Sequence, residues 1–344
     1  MSPTTTTILI SSLATGTVIT SSSYHWLMAW VGLEMNTLAI IPMISKKHHP
    51  RATEAAAKYF LTQAAASATL LFASTINAWQ TGTWDITNMT NPTASMLFTM
   101  AIAMKLGLAP MHFWLPEVLQ GSTTKTALII TTWQKLAPMA LILSSSNNMS
   151  TATLLTMGII STAIGGWAGL NQTQTRKIMA YSSIAHLGWM ATVASIMPKI
   201  MLLNLVLYLL MTTSMFFTLV LLNSKNIKDM ATSPTTSSAT TATAMLVLLS
   251  LGGLPPLTGF MPKWLILEEL IMQNLATMAT MMAMSALLSL FFYLRLGYST
   301  TITLAPNTTM VKHKWRFKPT DNTLLLSLTL PASLLMLPLT PMML

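Results

Sequence analysis

Lys105 stands near the middle of an apolar run from Met96 to Glu117, about twenty residues long, the length that crosses a bilayer as a helix. A charge at the bilayer midplane costs roughly 3 kcal/mol on insertion scales, so a lysine there is a functional candidate by default. Gly107 and Pro110 follow at once. Both interrupt a helix, and the interruption frees backbone groups to hold water or ions. The competing reading is that Lys105 snorkels to an interface, which requires it to reach past about ten residues in either direction.

Five more ionisable side chains fall at membrane depth in other apolar runs or beside the break: Glu34, His112, Lys135, His186 and Lys263. Each is a group whose proton affinity responds to burial and to neighbouring charge. Together they form a chain of residues along which a proton can move through a hydrated path. A Glu34–Lys105 ion pair would hold the lysine protonated, and breaking the pair would let the proton go. Structural alternatives stand beside these roles. His112 could cap carbonyls at the break, His186 could be a hydrogen-bonded packing residue, and Lys263 could bridge to Glu268 or Glu269 at a helix end. Glu54 and Lys58, one helical turn apart, read as a local pair. Glu117 reads as an inner-end residue where a proton is taken up.

The elements that must position these groups follow from composition. Of 344 residues, 52% are hydrophobic and 8% charged, against roughly 25% charged in soluble domains. This is an all-α polytopic membrane protein. Its formal charge of +10 lies mostly in short loops, so topology explains it and nucleic acid is not an expected partner. The absence of cysteine excludes disulfides, thiolate-held iron–sulfur clusters and thiol catalysis. Thirty methionines hint at an animal mitochondrial genetic code. The first residues show neither a basic leader nor a transit segment.

About eleven apolar runs can be marked, near 3–21, 25–44, 59–79, 95–116, 124–145, 149–170, 178–197, 200–222, 241–271, 274–296 and 323–342. Lys46, Lys47, Arg51, Arg176, Lys177, Lys225, Lys228, Lys312, Lys314, Arg316 and Lys318 all follow even-numbered runs, whereas odd-numbered loops offer Lys199. The positive-inside rule then sets the N-terminus on the inner side and, after eleven crossings, the C-terminus outside. Segment 224–240 reads as a flexible inner loop. The basic stretch 312–318 reads as inner-face anchoring or as a contact for anionic headgroups such as cardiolipin.

Run four carries Lys105 beside Gly107 and Pro110, and run nine carries Lys263 beyond Gly252, Gly253, Pro255 and Pro256. Five runs separate them. An odd number means that two halves of five helices cross in opposite senses, and matching broken helices in inverted halves point to a transport site. Run two holds Glu34 where run seven holds His186; run five holds Lys135 where run ten ends in Arg295. A single transmembrane domain over 1–344 is expected, with half-repeats 1–145 and 149–296 and an extra helix at 323–342.

No P-loop, no Gly-x-Gly-x-x-Gly segment, no nucleophilic triad and no histidine spacing for haem is present. No cofactor and no metal is expected on this chain. It moves something and does no covalent chemistry itself.

The residues that carry a resemblance are long stretches: Trp30-Val-Gly-Leu-Glu34-Met-Asn36, Thr53 to Gln63, Met104 to Glu117, Asn171 to Trp189 and Leu251 to Trp264. They resemble the chain 2 family of NADH:ubiquinone oxidoreductase from about residue 20 to 300, in its animal mitochondrial form. The resemblance implies an antiporter-like, proton-pumping subunit in the membrane arm of respiratory complex I, in the mitochondrial inner membrane. NADH, flavin, iron–sulfur clusters and ubiquinone would be bound by other subunits, and sister antiporter-like and small membrane subunits would be its neighbours. It implies that Glu34 pairs with Lys105, and that Lys135 and Lys263 continue the proton path. Bacterial members carry three further N-terminal helices that this chain does not match, and some sister subunits carry glutamate in place of Lys263. The rival readings are a free-standing cation/proton antiporter and a structural subunit whose buried charges staple helices together.

Overall fold

Serine and threonine hydroxyls in these helices return to the backbone one turn earlier. In the Thr- and Ser-rich α1 (Pro3–Ser22), Thr17 donates to Ala14 O and Thr20 to Thr17 O, both at 2.8 Å, which satisfies polar groups where water is scarce. Ser2 caps the helix start with a bond from Thr5 N, and Pro3 occupies the first turn, where its missing N–H costs no helix bond. The structure is a computed structural model and describes residues 2–47, 49–302, 316 and 323–343. The basic residues Lys312, Lys314 and Lys318 lie outside the described residues.

All regular elements among the described residues are helical: α2 (Trp26–Ile44), α3 (Pro50–Thr81), α4 (Pro92–Leu106), α5 (Trp114–Gly121), α6 (Thr124–Thr131), α7 (Trp133–Ser145), α8 (Thr151–Gly169), α9 (Thr175–Val193), α10 (Pro198–Leu221), α11 (Ile227–Thr236), α12 (Ser238–Gly252), α13 (Phe260–Met272), α14 (Ala276–Thr301) and α15 (Leu324–Leu335). Among the described residues, six segments are long and apolar enough to cross a membrane, and α4, α12 and α15 are shorter apolar helices. Chain contacts define two units, Met1–Ser161 with Met190–Pro198, and Thr162–Trp189 with Lys199–Leu344.

Several boundaries differ from the sequence expectation. Helix α3 starts at Pro50 rather than 59, because His49 caps Arg51 N and Pro50 suits a first turn. The run at 124–145 is divided at Thr132, whose φ of −108° and ψ of −71° depart from regular helix values; its hydroxyl donates to Leu128 O at 2.6 Å. Segment 224–240 is not a flexible loop. Asp229 accepts from both Lys225 N and Asn226 N at 2.9 Å, which nucleates α11 against α14. The last run is not one continuous helix either: α15 ends at Leu335, and a 3-10 turn follows at Leu337–Leu339, around Pro338.

In the first unit α1 packs on α2, α2 on α3, and α3 on both α4 and α5. The α1–α2 crossing is built on glycines, as in close helix pairs in lipid. A Cβ added at Gly32 would lie 2.8 Å from Gly16 O and 3.0 Å from Thr20 N. In the second unit α12, α11 and α13 pack on α14, and Gly165 lets α8 approach Tyr181 O and Ala185 N of α9.

The α1–α2 contact makes a direct prediction. Gly32→Ala should force the helices apart at a cost of roughly 1–3 kcal/mol, read as a lowered melting temperature of the solubilised protein. An unchanged melting temperature contradicts the contact.

Candidate functional site: two interrupted helices and the lysines around them

The first break follows from one residue. Gly107 ends α4 at φ +76°, a left-handed conformation that glycine adopts without the Cβ penalty. Its N–H bonds Ala103 O at 2.8 Å, and Leu108 N bonds the same carbonyl at 2.9 Å. The chain then turns through residues 108–113, including a cis Ala109–Pro110 bond, before α5 begins at Trp114. Carbonyls at this helix end need donors from elsewhere. Trp114 Nε1 donates to Met104 O at 3.0 Å, and Lys135 Nζ, reaching over from α7, donates to Leu106 O at 2.6 Å. The Lys135 ammonium also lies 5.6 Å from the centroid of the Trp114 ring, within cation–π range.

The second break repeats this construction. Gly253 ends α12 at φ +79°, its N–H bonding Leu249 O and Ser250 O, and Leu254 N bonds Leu249 O at 3.3 Å. Lys263 Nζ donates to Gly252 O at 2.8 Å and to Leu251 O at 3.4 Å. Lys263 is therefore a cap on the broken helix and not a bridge to Glu268 or Glu269. In each unit a lysine cation sits on the negative end of a helix interrupted in mid-run.

The two breaks are not decorated alike. Measured from the left-handed glycine, Lys105 stands two residues before Gly107, where the other half has Leu251; Lys263 stands ten after Gly253, where the first half has Glu117. Glu117 is half exposed and lies 2.6 Å from Lys58, which also holds Glu54 at 2.5 Å. The expected Glu54–Lys58 pair is thus present and enlarged to a triad that ties α5 to the start of α3.

Lys105 differs from the other lysines. It is 4% exposed, and its Nζ has no hydrogen-bond partner. Glu34 is within its electrostatic reach, but the two make no ion pair among the described residues. The expected direct contact is replaced by hydroxyls: Thr37 Oγ1 donates to Glu34 Oε2 and Ser67 Oγ to Glu34 Oε1, each at 2.6 Å. A small cavity beside Lys105 is lined by Leu33, Thr37, Tyr59, Gln63, Trp114, Gln134 and Pro138.

The histidines divide between the units. His112 is buried in the first break, its ring 4.3 Å from that of Phe113 and its Nδ1 without a partner. His186, on α9, is buried with its ring 5.5 Å from Tyr208 and lies within electrostatic reach of Lys263. The structure thus puts Lys105 on a cavity wall with Thr37, the residue that holds Glu34, sets Lys135 against the end of the Lys105 helix, and groups His186 with Lys263. Sequence reasoning missed Thr37, Gln63, Ser67, Tyr59 and Trp114. The available signal was Tyr59, Gln63 and Ser67 recurring every four residues on an alanine-rich helix, one face of α3.

The geometry distinguishes two glycine substitutions. A Cβ at Gly253 would sit 2.9 Å from Lys263 Nζ, whereas one at Gly107 meets nothing nearer than 3.5 Å. Both alanine variants should cost roughly 1–2 kcal/mol in backbone strain and lower the melting temperature. A high-resolution map should show Lys263 displaced from Gly252 O in Gly253→Ala, and the Lys135–Leu106 bond kept in Gly107→Ala. An undisturbed Lys263 contradicts this packing.

Comparison with known proteins agrees with this architecture. The family described as NADH:quinone oxidoreductase/Mrp antiporter, TM, matches residues 23–289, and NADH dehydrogenase subunit 2 C-terminus matches residues 290–344. The NADH-ubiquinone oxidoreductase chain 2 of Squalus acanthias is 57% identical, covering 99% of this chain and 98% of that one. Its counterpart in Xenopus laevis is 55% identical, covering 99% of both. A chain of respiratory complex I from Thermus thermophilus superposes with a TM-score of 0.82 at 27% identity, over 97% of this chain and 79% of that chain. A chain of the Mrp complex from Dietzia shares the fold, with a TM-score of 0.78 at 15% identity over 87% of this chain and 61% of that one. By these matches across its whole length, the chain belongs to the NADH-ubiquinone oxidoreductase chain 2 family.

Proposed function

We propose that this chain is a proton-translocating, antiporter-like subunit of the membrane arm of respiratory complex I, and that Glu34, Lys105, Lys135 and Lys263 carry its proton path, with His112 and His186 as relays. One observation carries the reading: Lys105 Nζ is buried without an acceptor, beside a glutamate held by neutral hydroxyls. A lysine placed as a structural staple would be paired, because an unpaired buried charge is strongly destabilising. A lysine that must take up and release a proton is better served by a neighbour that influences it without clamping it.

Lys135 and Lys263 supply further stations. Each ammonium rests on helix-end carbonyls, which accept hydrogen bonds but cannot take the proton, so the charge is stabilised and stays transferable. Redox energy reaches the chain as a change in charge near Glu34, which alters the field at Lys105. The chain binds no redox cofactor in this reading; NADH, FMN, iron–sulfur clusters and ubiquinone belong to other subunits. Its neighbours are sister antiporter-like subunits and small membrane subunits.

The layout that suits this function has eleven crossings. Counting α4 with α5, α6 with α7 and α12 with α13 as single interrupted crossings, and α11 as a connector, gives that number. Residues 1–145 and 149–296 then form an inverted 5+5 repeat, supported by the shared cap geometry of the two breaks, with 323–342 as the extra helix. The loop charges support an N-terminus in the mitochondrial matrix and a C-terminus facing the intermembrane space. The basic stretch 312–318 suits phospholipid headgroups such as cardiolipin.

The test is proton pumping per NADH oxidised in complex I carrying Lys105→Ala, with assembly followed in parallel. The expected result is an assembled complex whose pumping, or pumping-coupled turnover, falls. Normal assembly with normal pumping would make Lys105 a dispensable charge and end this reading.

A further inference from the structure

The gap between Glu34 and Lys105 has a structure of its own. The cavity beside Lys105 is about 10 Å³, close to the ~10–15 Å³ that one water needs, and a buried water needs two to four polar partners. Two unsatisfied donors belong to residues on its wall. Lys105 Nζ and Gln63 Nε2 are both buried without a hydrogen-bond partner, and each residue is 4% exposed. Thr37 lines the same cavity, and its hydroxyl hydrogen is committed to Glu34, with the carboxylate Oε2 at 2.6 Å and the backbone O at 2.9 Å, which leaves its oxygen free to accept. Buried donors are almost always satisfied by protein or by water.

We infer that one water bridges Lys105 to Thr37, that Gln63 fixes this water, and that the proton of Lys105 reaches Glu34 through the water and the Thr37 hydroxyl. The inference rests on the proton-path reading above and adds the route and a positioning residue. The water accepts from Lys105 Nζ and from Gln63 Nε2 and donates to Thr37 Oγ1. In the transfer, Lys105 gives a proton to the water, the water gives one of its own to Thr37 Oγ1, and Thr37 gives its hydroxyl proton to Glu34 Oε2. An ammonium and a carboxylate become an amine and a carboxylic acid, and the water and the hydroxyl are unchanged. The two charges are thus discharged without the two side chains meeting. Ser67 holds the other carboxylate oxygen and keeps Oε2 turned to Thr37.

The spacing on α3 supports this division of labour. Tyr59, Gln63 and Ser67 stand on one stripe at intervals of four. Ser67 grips the acceptor, Gln63 faces the water, and Tyr59 closes the wall against the Trp114 ring, with centroids 5.7 Å apart.

The test uses assembled complex I containing Gln63→Leu, Thr37→Val, Thr37→Ser or Lys105→Ala, with two readouts. The first is a map of the parent complex fine enough to place water. The second is pumping-coupled turnover against pH. The expected map has a single water in contact with Lys105, Gln63 and Thr37. Gln63→Leu and Thr37→Val should each slow coupled turnover about tenfold, the scale of losing a hydrogen bond to a charged group, and shift its pH profile. Thr37→Ser should restore most of the rate, because it keeps the hydroxyl. A gap without water, or Gln63→Leu and Thr37→Val both turning over and titrating like the parent, overturns the relay. If Lys105→Ala still abolishes pumping in that case, the relay alone fails; if it does not, the proton-path reading fails with it. Should Gln63→Leu not assemble, the Thr37 pair decides: equal rates for Val and Ser overturn the relay, and a loss in Val alone supports it.

Discussion

A buried ammonium that no protein acceptor holds is the constraint on which the first half of this molecule depends. Lys105 Nζ lacks a hydrogen bond, yet its helix, α4, is satisfied at nearly every exposed end carbonyl. The polar groups nearby have been arranged around the charge rather than onto it. Glu34 is held back by Thr37 and Ser67, and Lys135 is engaged by Leu106 O. Such a site is costly in a low-dielectric medium. Trp114 links three parts of it, donating to Met104 O, facing Tyr59 and lying beneath Lys135.

The interrupted helices give two further lysines their hydrogen-bond partners. A helix broken in mid-run exposes carbonyls that concentrate negative partial charge, and Lys135 and Lys263 each occupy one such end. The left-handed glycine is the shared device, because it turns the chain away and leaves the last carbonyls open. The charges themselves do not follow the shared backbone. Counted from the left-handed glycine of each break, Lys105 corresponds to Leu251 and Glu117 to Lys263, so the same backbone device carries different side chains in the two halves.

Much of the frame was legible in the sequence because its signals are local. Gly107 and Gly253 announce left-handed caps, prolines follow each, and Glu54 and Lys58 stand one turn apart. What escaped was set by helix rotation and long-range packing. Ser67 reaches Glu34 from 33 residues away and Lys135 reaches Leu106 from 29, and no local pattern fixes those pairings. The direct Glu34–Lys105 pair expected from charge and from the resemblance was displaced by two hydroxyls, which carry no charge to draw attention in a run of alanines and leucines. Helix α11 was hidden for the opposite reason. Its Ser- and Thr-rich sequence favours turns, and the carboxylate of Asp229 overrides that preference by capping two backbone N–H groups.

The most direct measurement replaces Lys105 by arginine. Arginine keeps a positive charge of similar reach but does not give up its proton in proteins. Proton pumping per NADH oxidised should fall in assembled complex I with Lys105→Arg, as it would for a lysine that carries protons. Undiminished pumping by the arginine form would mean that Lys105 supplies only a fixed charge, and would contradict the account at its centre.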